Sequence, residues 1–133
     1  MIVADASAIV ELLLQRPGSD AIARRPLTGQ EPLAAPSLLD LEVASVLRRY
    51  WLSGAITAER GEESLELLGA LPLARYSHED LLARIWEWRA NLTAYDAAYV
   101  ALAEALEAPL VTCDGKLAHT IGGRVQVELF VVG

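Results

Sequence analysis

Four acidic residues, Asp5, Glu42, Asp96 and Asp114, stand inside or directly after apolar runs, and their placement constrains the fold more than any other feature of the chain. Asp5 ends Met1-Ile2-Val3-Ala4, and Asp114 follows Pro109-Leu110-Val111-Thr112-Cys113. Both therefore read as carboxylates at the C-terminal ends of short buried strands. Glu42 and Asp96 fall in helical stretches instead. Ionised carboxylates are seldom fully buried unless paired or bound to metal, because losing water costs several kcal/mol or shifts the pKa. Four of them together suggest a metal site.

Strand and helix signals alternate along the whole chain. Ala6 to Leu14 reads as a helix stopped by Pro17-Gly18, and a short helix is expected over Ser19 to Ala23. Leu33-Ala34-Ala35 reads as a short parallel strand, after which Pro36-Ser37 opens a long helix carrying Glu42 and closed by Gly54. Thr57 caps the next helix, which ends before Pro72, and its early acids Glu59, Glu62 and Glu63 form a solvated face. Leu73-Ala74-Arg75 is a further short strand. Helices are expected from about His78 to Ala90 and from about Thr93 to Leu106. Pro109 to Thr112 is the clearest buried strand, a short helix follows Asp114, and Val125 to Phe130 alternates as a half-exposed edge strand. The fold class is α/β with a mostly parallel central sheet, in which ligands bind beyond the carboxyl ends of the strands, where Asp5 and Asp114 are placed.

The length of 133 residues suits one domain, 1–133, and is too short for two ordinary cores. No apolar stretch approaches the roughly 20 residues of a membrane span, and no basic segment precedes the apolar start, so a soluble, cytoplasmic protein is expected. An apolar fraction of 53% is a surplus for so small a chain and points to an interface with a second copy or a partner. The single cysteine, Cys113, excludes an internal disulfide and reads as a small buried hydrophobe. The formal charge of -7 has the wrong sign for a protein that holds nucleic acid by neutralising phosphates. Two divalent ions bound to the carboxylates would bring it from -7 to -3 and reduce that objection.

Glu42 lies one turn from Leu38, Leu39 and Val46, beside the stripe that packs on the sheet, and Asp96 lies in the first turn of its helix on the side of Tyr99 and Val100. Both are expected to face inward. Convergence of four carboxylates raises some of their pKa values unless a divalent cation keeps them ionised, and ligands that are all oxygen favour Mg²⁺ or Mn²⁺. Zinc is disfavoured, since His78 and His119 form no ligand spacing with Cys113. Taken singly, each acid has a plainer reading: Asp5 and Asp114 as helix N-caps, Asp96 as a first-turn acid, Glu42 as half of a salt bridge to arginine. One shared site accounts for all four at once. Arg49, two turns from Glu42 on the same side, and Lys116 are within reach of a phosphate, though solvated surface cations are the readier reading of both. Trp86 and Trp88 must diverge on a helix, leaving at least one for packing.

The segments Val3-Ala4-Asp5-Ala6-Ser7-Ala8, Leu41-Glu42-Val43, Leu92-Thr93-Ala94-Tyr95-Asp96-Ala97-Ala98-Tyr99 and Leu110-Val111-Thr112-Cys113-Asp114, in that order, resemble PIN-domain ribonucleases. Among these the chain is most similar to the VapC toxins of type II toxin-antitoxin pairs. The resemblance implies a three-layer α/β/α fold and an endoribonuclease that cleaves RNA phosphodiesters with water activated by Mg²⁺, with Mn²⁺ as a substitute. It assigns the acidic, metal-holding catalytic site to Asp5, Glu42, Asp96 and Asp114, with Ser7 and Thr112 as supporting hydroxyls. It also implies a homodimer and a small antitoxin that blocks the acidic groove. Some relatives carry a further acid after the fourth position; here Gly115-Lys116-Leu117 follows, which leaves one or two ions open. A PIN fold serving only as a binding module for protein or RNA is the alternative. A carboxylate phosphatase is disfavoured, because Asp5-Ala6-Ser7 lacks the second acid of an Asp-x-Asp nucleophile pair.

Overall fold

The computed structural model describes residues 1–15 and 31–130. Five strands form one parallel sheet: β1 (Ile2–Ala4), β2 (Leu33–Pro36), β3 (Leu73–Tyr76), β4 (Leu110–Thr112) and β5 (Val127–Leu129), in the order β3-β2-β1-β4-β5. Among the described residues six α-helices connect them: α1 (Ala6–Leu14), α2 (Leu39–Leu52), α3 (Ala58–Ala70), α4 (Leu82–Glu87), α5 (Ala94–Leu106) and α6 (Gly115–Ile121). None of these is long and apolar enough to cross a membrane.

The strand order dictates the layering. From β1 through β2 to β3 the chain steps toward one edge, and from β4 to β5 toward the other. Right-handed crossovers therefore place α1, α2 and α3 on one face and α4, α5 and α6 on the opposite face. The sheet is the expected α/β/α sandwich, and all its pairings are parallel. Its central strands β1, β2 and β4 are buried along their whole lengths, which is why they read as continuous apolar runs rather than as alternating ones. The core continues through Ile9, Val10 and Leu13 of α1, Leu39, Val43 and Leu47 of α2, and the run Ala97 to Ala103 of α5.

Most expected elements are found within a residue or two of their predicted bounds. Thr57 caps α3 through its hydroxyl, which accepts from Arg60 N at 3.1 Å. Gly54 closes α2 at φ +80°, a conformation that costs glycine little. The Pro17-Gly18 stop and the short helix expected over 19–23 lie outside the described residues. Two elements differ from expectation. The helix predicted from about His78 to Ala90 is a 3₁₀ turn (Glu79–Leu81) followed by the short α4. Both ends tighten to i→i−3 bonds, Leu81 N to His78 O at 2.8 Å and Trp88 N to Ile85 O at 3.1 Å. The tightening leaves Trp88 only 4% exposed against α5, while Trp86 stands 67% exposed. The edge strand β5 is shorter than Val125 to Phe130 and pairs with β4 alone.

The α4–α5 contact orients the helix that carries Asp96. Arg84 donates Nε to Glu104 Oε1 at 2.9 Å and Nη2 to Oε2 at 2.8 Å, while Trp88 Nε1 reaches the same carboxylate at 3.3 Å. The guanidinium groups of Arg84 and Arg124 lie 5.2 and 5.1 Å from the Trp88 ring centroid. The fork is partly solvated, so Arg84→Leu should lower stability by only about 0.5–1 kcal/mol. A double-mutant cycle with Glu104→Gln, read from denaturant midpoints, measures the coupling; additive effects of the two substitutions would contradict it.

Candidate functional site

The strand order reverses between β1 and β4, and Asp5 and Asp114 follow those two strands. Crossovers leave in opposite directions there, so a crevice opens at the carboxyl edge. Asp5 continues the sheet by one bond, its N–H donating to Val111 O at 3.1 Å, then caps α1. Its Oδ1 accepts from Ser7 Oγ at 2.6 Å and from Ala8 N at 3.1 Å, and its Oδ2 accepts from Thr112 Oγ1. Both hydroxyl protons are thus committed to one carboxylate, and the 3.3 Å between Ser7 Oγ and Thr112 Oγ1 is a contact rather than a further bond. The hydroxyl oxygens in turn accept backbone amides of the β4–α6 turn: Cys113 N reaches Ser7 at 2.9 Å, and Asp114 N reaches Thr112 at 2.9 Å. Ser7 and Thr112 therefore tie the turn bearing Asp114 to the carboxylate of Asp5.

Asp114 caps α6, its Oδ1 accepting from Lys116 N at 2.9 Å and Leu117 N at 3.2 Å. Helix capping, the plainer reading of Asp5 and Asp114, is thus part of their job. It does not displace the shared site, because the same carboxylates face the other two acids. Glu42, half-buried in the first turn of α2, accepts at Oε1 from the hydroxyl of Tyr99 at 2.6 Å. Among the described residues no arginine pairs with Glu42, whose hydrogen-bond partner is Tyr99. Asp96 lies in the first turn of α5 behind the Thr93 cap, whose hydroxyl accepts Asp96 N at 3.1 Å.

The electrostatics link the four acids in a closed ring. Burial is the main force raising the Asp5 pKa, opposed by its hydrogen bonds and aided by repulsion from Asp114. Burial raises Glu42 as well, with repulsion from Asp96 and Asp5 added and the Tyr99 bond opposing. Asp96 is raised by burial and then by Asp114. Asp5–Asp114–Asp96–Glu42–Asp5 is therefore a circuit in which every carboxylate repels two others. Their exposure is graded: Asp5 is 6% exposed, Glu42 and Asp96 are half-buried, and Asp114 is exposed. Among the described residues, no three acidic, histidine or cysteine side chains gather closely enough to enclose a metal ion as they stand. The donor set nonetheless fits a hard divalent cation, being all oxygen and carrying mutual repulsion that such a charge relieves.

Tyr99 is a functional residue to which the sequence pattern assigns no role beyond its place on the Asp96 side. It is 1% exposed, its own pKa pushed up by burial and by Glu42, so its phenol stays protonated and donates. The signal was its i+3 spacing from Asp96 on an otherwise Ala-rich helix face. Lys116 and Arg49 are both exposed. Cys113 is half-buried, more open than the small buried hydrophobe expected of it.

Raised folded-state values mean that the fold favours the protonated acids. The stability involved is fully present below the unfolded values, 3.8 for Asp and 4.5 for Glu, and is lost as pH rises through the folded ones. Without metal, Asp96→Asn should melt a few degrees higher than the parent at mildly alkaline pH, with a smaller gain in acid. Thermal melts at both pH values check the sign, and a variant that melts lower in alkali would refute it. Tyr99→Phe should move the Glu42 carboxyl upward in an NMR titration, because the lost bond favoured the ionised form. It should also cost about 1 kcal/mol.

The PIN domain family matches residues 2–122. Ribonuclease VapC9 of Mycobacterium tuberculosis is 46% identical over 132 residues, covering 99% of this chain and 98% of the relative. Ribonuclease VapC12 of the same species is 41% identical over 129 residues, with 97% and 98% covered. Among solved structures, VapBC2 from Rickettsia felis bound to a promoter DNA fragment superposes with a TM-score of 0.70 at 17% identity, covering 98% of this chain and 99% of that one. VapC20 of M. tuberculosis, described as a sarcin-ricin loop cleaving toxin, superposes at 0.69 with 15% identity, covering 94% and 98%. The chain belongs to the PIN-domain family and, within it, to the VapC ribonucleases.

Proposed function

We propose that this chain is a Mg²⁺-dependent endoribonuclease, the toxin of a toxin–antitoxin pair, with Asp5, Glu42, Asp96 and Asp114 as its metal-holding catalytic acids. The observation that carries the reading is the closed circuit of four mutually repelling carboxylates at the sheet's switch point, in a chain 46% identical to ribonuclease VapC9. Asp5 is the fixed member, both oxygens held by Ser7, Thr112 and Ala8. Tyr99 keeps Glu42 turned inward, and the α6 cap holds Asp114 at the rim. What Mg²⁺, or Mn²⁺ in its place, supplies when bound there is Lewis-acid neutralisation of the scissile phosphodiester and acidification of water. Products are expected to carry 5′-phosphate and 3′-hydroxyl ends.

The partners follow from the same reading: an RNA substrate, a small antitoxin, a second copy of the chain, and a cytoplasmic setting for all three. A net charge of -7 favours an antitoxin whose blocking segment is basic. The binding-module alternative draws on the spacing of the carboxylates, which do not enclose an ion as they stand. Magnesium titration followed by thermal melting separates the two, since a module without a working site gains little stability from the ion.

Cleavage of total cellular RNA by antitoxin-free protein in Mg²⁺ is the direct test. EDTA should abolish it, and Asp96→Asn should reduce it about a hundredfold or more. Cleavage that survives either control would assign it to a contaminant or another site. Binding of the antitoxin should weaken as salt rises, and an affinity indifferent to salt would refute the charge argument.

A further inference from the structure

A groove of about 450 Å³ opens beside the carboxylate circuit, lined by Ala6, Leu38, Leu41, Glu42, Ser45, Val46, Arg49 and Tyr95. Glu42 belongs to both. Three further walls are chain neighbours of the acids: Ala6 follows Asp5, Leu41 precedes Glu42, and Tyr95 precedes Asp96. The groove is therefore built by three of the four segments that carry the acids, and a substrate seated at the carboxylates must extend along it or away from it.

Its chemistry is that of a stacking platform with one cation. Leu41 is 74% exposed and Tyr95 64%, apolar surface that contributes little to the core. Tyr95 stands in the first turn of α5, one residue before Asp96, so its backbone is fixed relative to the carboxylates by helix geometry. Arg49 lies seven residues along α2 from Glu42, about 10 Å up the axis on the same side. It is exposed and forms no ion pair among the described residues. An exposed aromatic ring and a cation without an ion-pair partner, set in one groove beside the carboxylates, suit an occupant that is both aromatic and anionic. A nucleotide meets both demands, and a volume of this size accommodates a ligand of that class.

We propose that this groove seats the nucleotide next to the scissile phosphate, its base stacked on the Tyr95 ring against Leu41 and its outer phosphate met by Arg49. The inference rests on the ribonuclease reading above and extends it to how single-stranded RNA is held. Every base offers a π-face, so Tyr95 supplies affinity without choosing a sequence. Selectivity among RNAs then lies elsewhere on the surface.

The test is steady-state cleavage, in Mg²⁺, of a short fluorescein-labelled single-stranded RNA of mixed sequence. Tyr95→Ala should raise KM about tenfold with a far smaller effect on kcat, as loss of one base-stacking contact does, and Tyr95→Phe should keep the parent's KM. Arg49→Ala should raise KM and lessen the slope of log KM against log salt by about 0.7, the share of one single-strand phosphate contact. Arg49→Lys should restore that slope. Tyr95 is exposed, so thermal melts of its variants should match the parent. An unchanged KM in Tyr95→Ala, in protein that otherwise cleaves, would overturn this inference and leave the ribonuclease reading standing. So would a Tyr95→Ala effect that tracks a change of oligomeric state in sedimentation, which would make the groove a contact between copies. Failure of the parent to cleave any RNA, or cleavage that EDTA does not stop, would overturn the ribonuclease reading and this inference with it.

Discussion

Asp5 is a nearly buried carboxylate, and the arrangement around it depends on keeping that charge satisfied. A carboxyl group at 6% exposure is tolerable only with its oxygens occupied, and three donors from two different connections do this. Ala8 contributes the third amide of α1, Ser7 a hydroxyl from the same turn, and Thr112 a hydroxyl from the end of β4. Because the two hydroxyls also accept amides of the following turn, satisfying Asp5 fixes where Asp114 begins. No buried side-chain nitrogen or oxygen among the described residues is left without a partner.

The topology converts that local arrangement into a site. Right-handed crossovers on a sheet whose order reverses between β1 and β4 lift helices from opposite faces at one edge. From α1's face comes α2 with Glu42; from the opposite face comes α5 with Asp96 and Tyr99. The Tyr99–Glu42 hydrogen bond is where the two helical layers meet across the carboxyl edge. Burial of the run Ala97 to Ala103 holds α5 on the sheet, and the Arg84–Glu104 fork adds a contact to α4.

Much of this was legible in the sequence because the signals are local. Val3-Ala4-Asp5 and Val111-Thr112-Cys113-Asp114 announce buried strands ending in acids, and Thr57 and Thr93 announce caps that form as read. The helix expected up to Ala90 failed because its outcome is decided by a distant contact: burial of Trp88 against α5 outweighs continuation of a local helical period. Tyr99 was underread for a similar reason. A tyrosine among alanines looks like core packing, and only the meeting of α2 and α5 turns its hydroxyl into a partner for Glu42.

Asp5 and Asp114 each serve two masters, and the consequence reaches to how such chains lose activity. Replacing either acid removes a helix N-cap as well as a charge from the crevice, so the fold itself penalises the change. Asp96 brings repulsion that the empty fold would be better without, and Glu42 shares that burden, softened by one hydrogen bond. If the four acids are the proposed catalytic set, Glu42 and Asp96 are the two with no capping role to keep them once cleavage no longer matters. An acid at the end of β1 or β4 is thus weak testimony to a working enzyme, and the pair borne by α2 and α5 is the informative one.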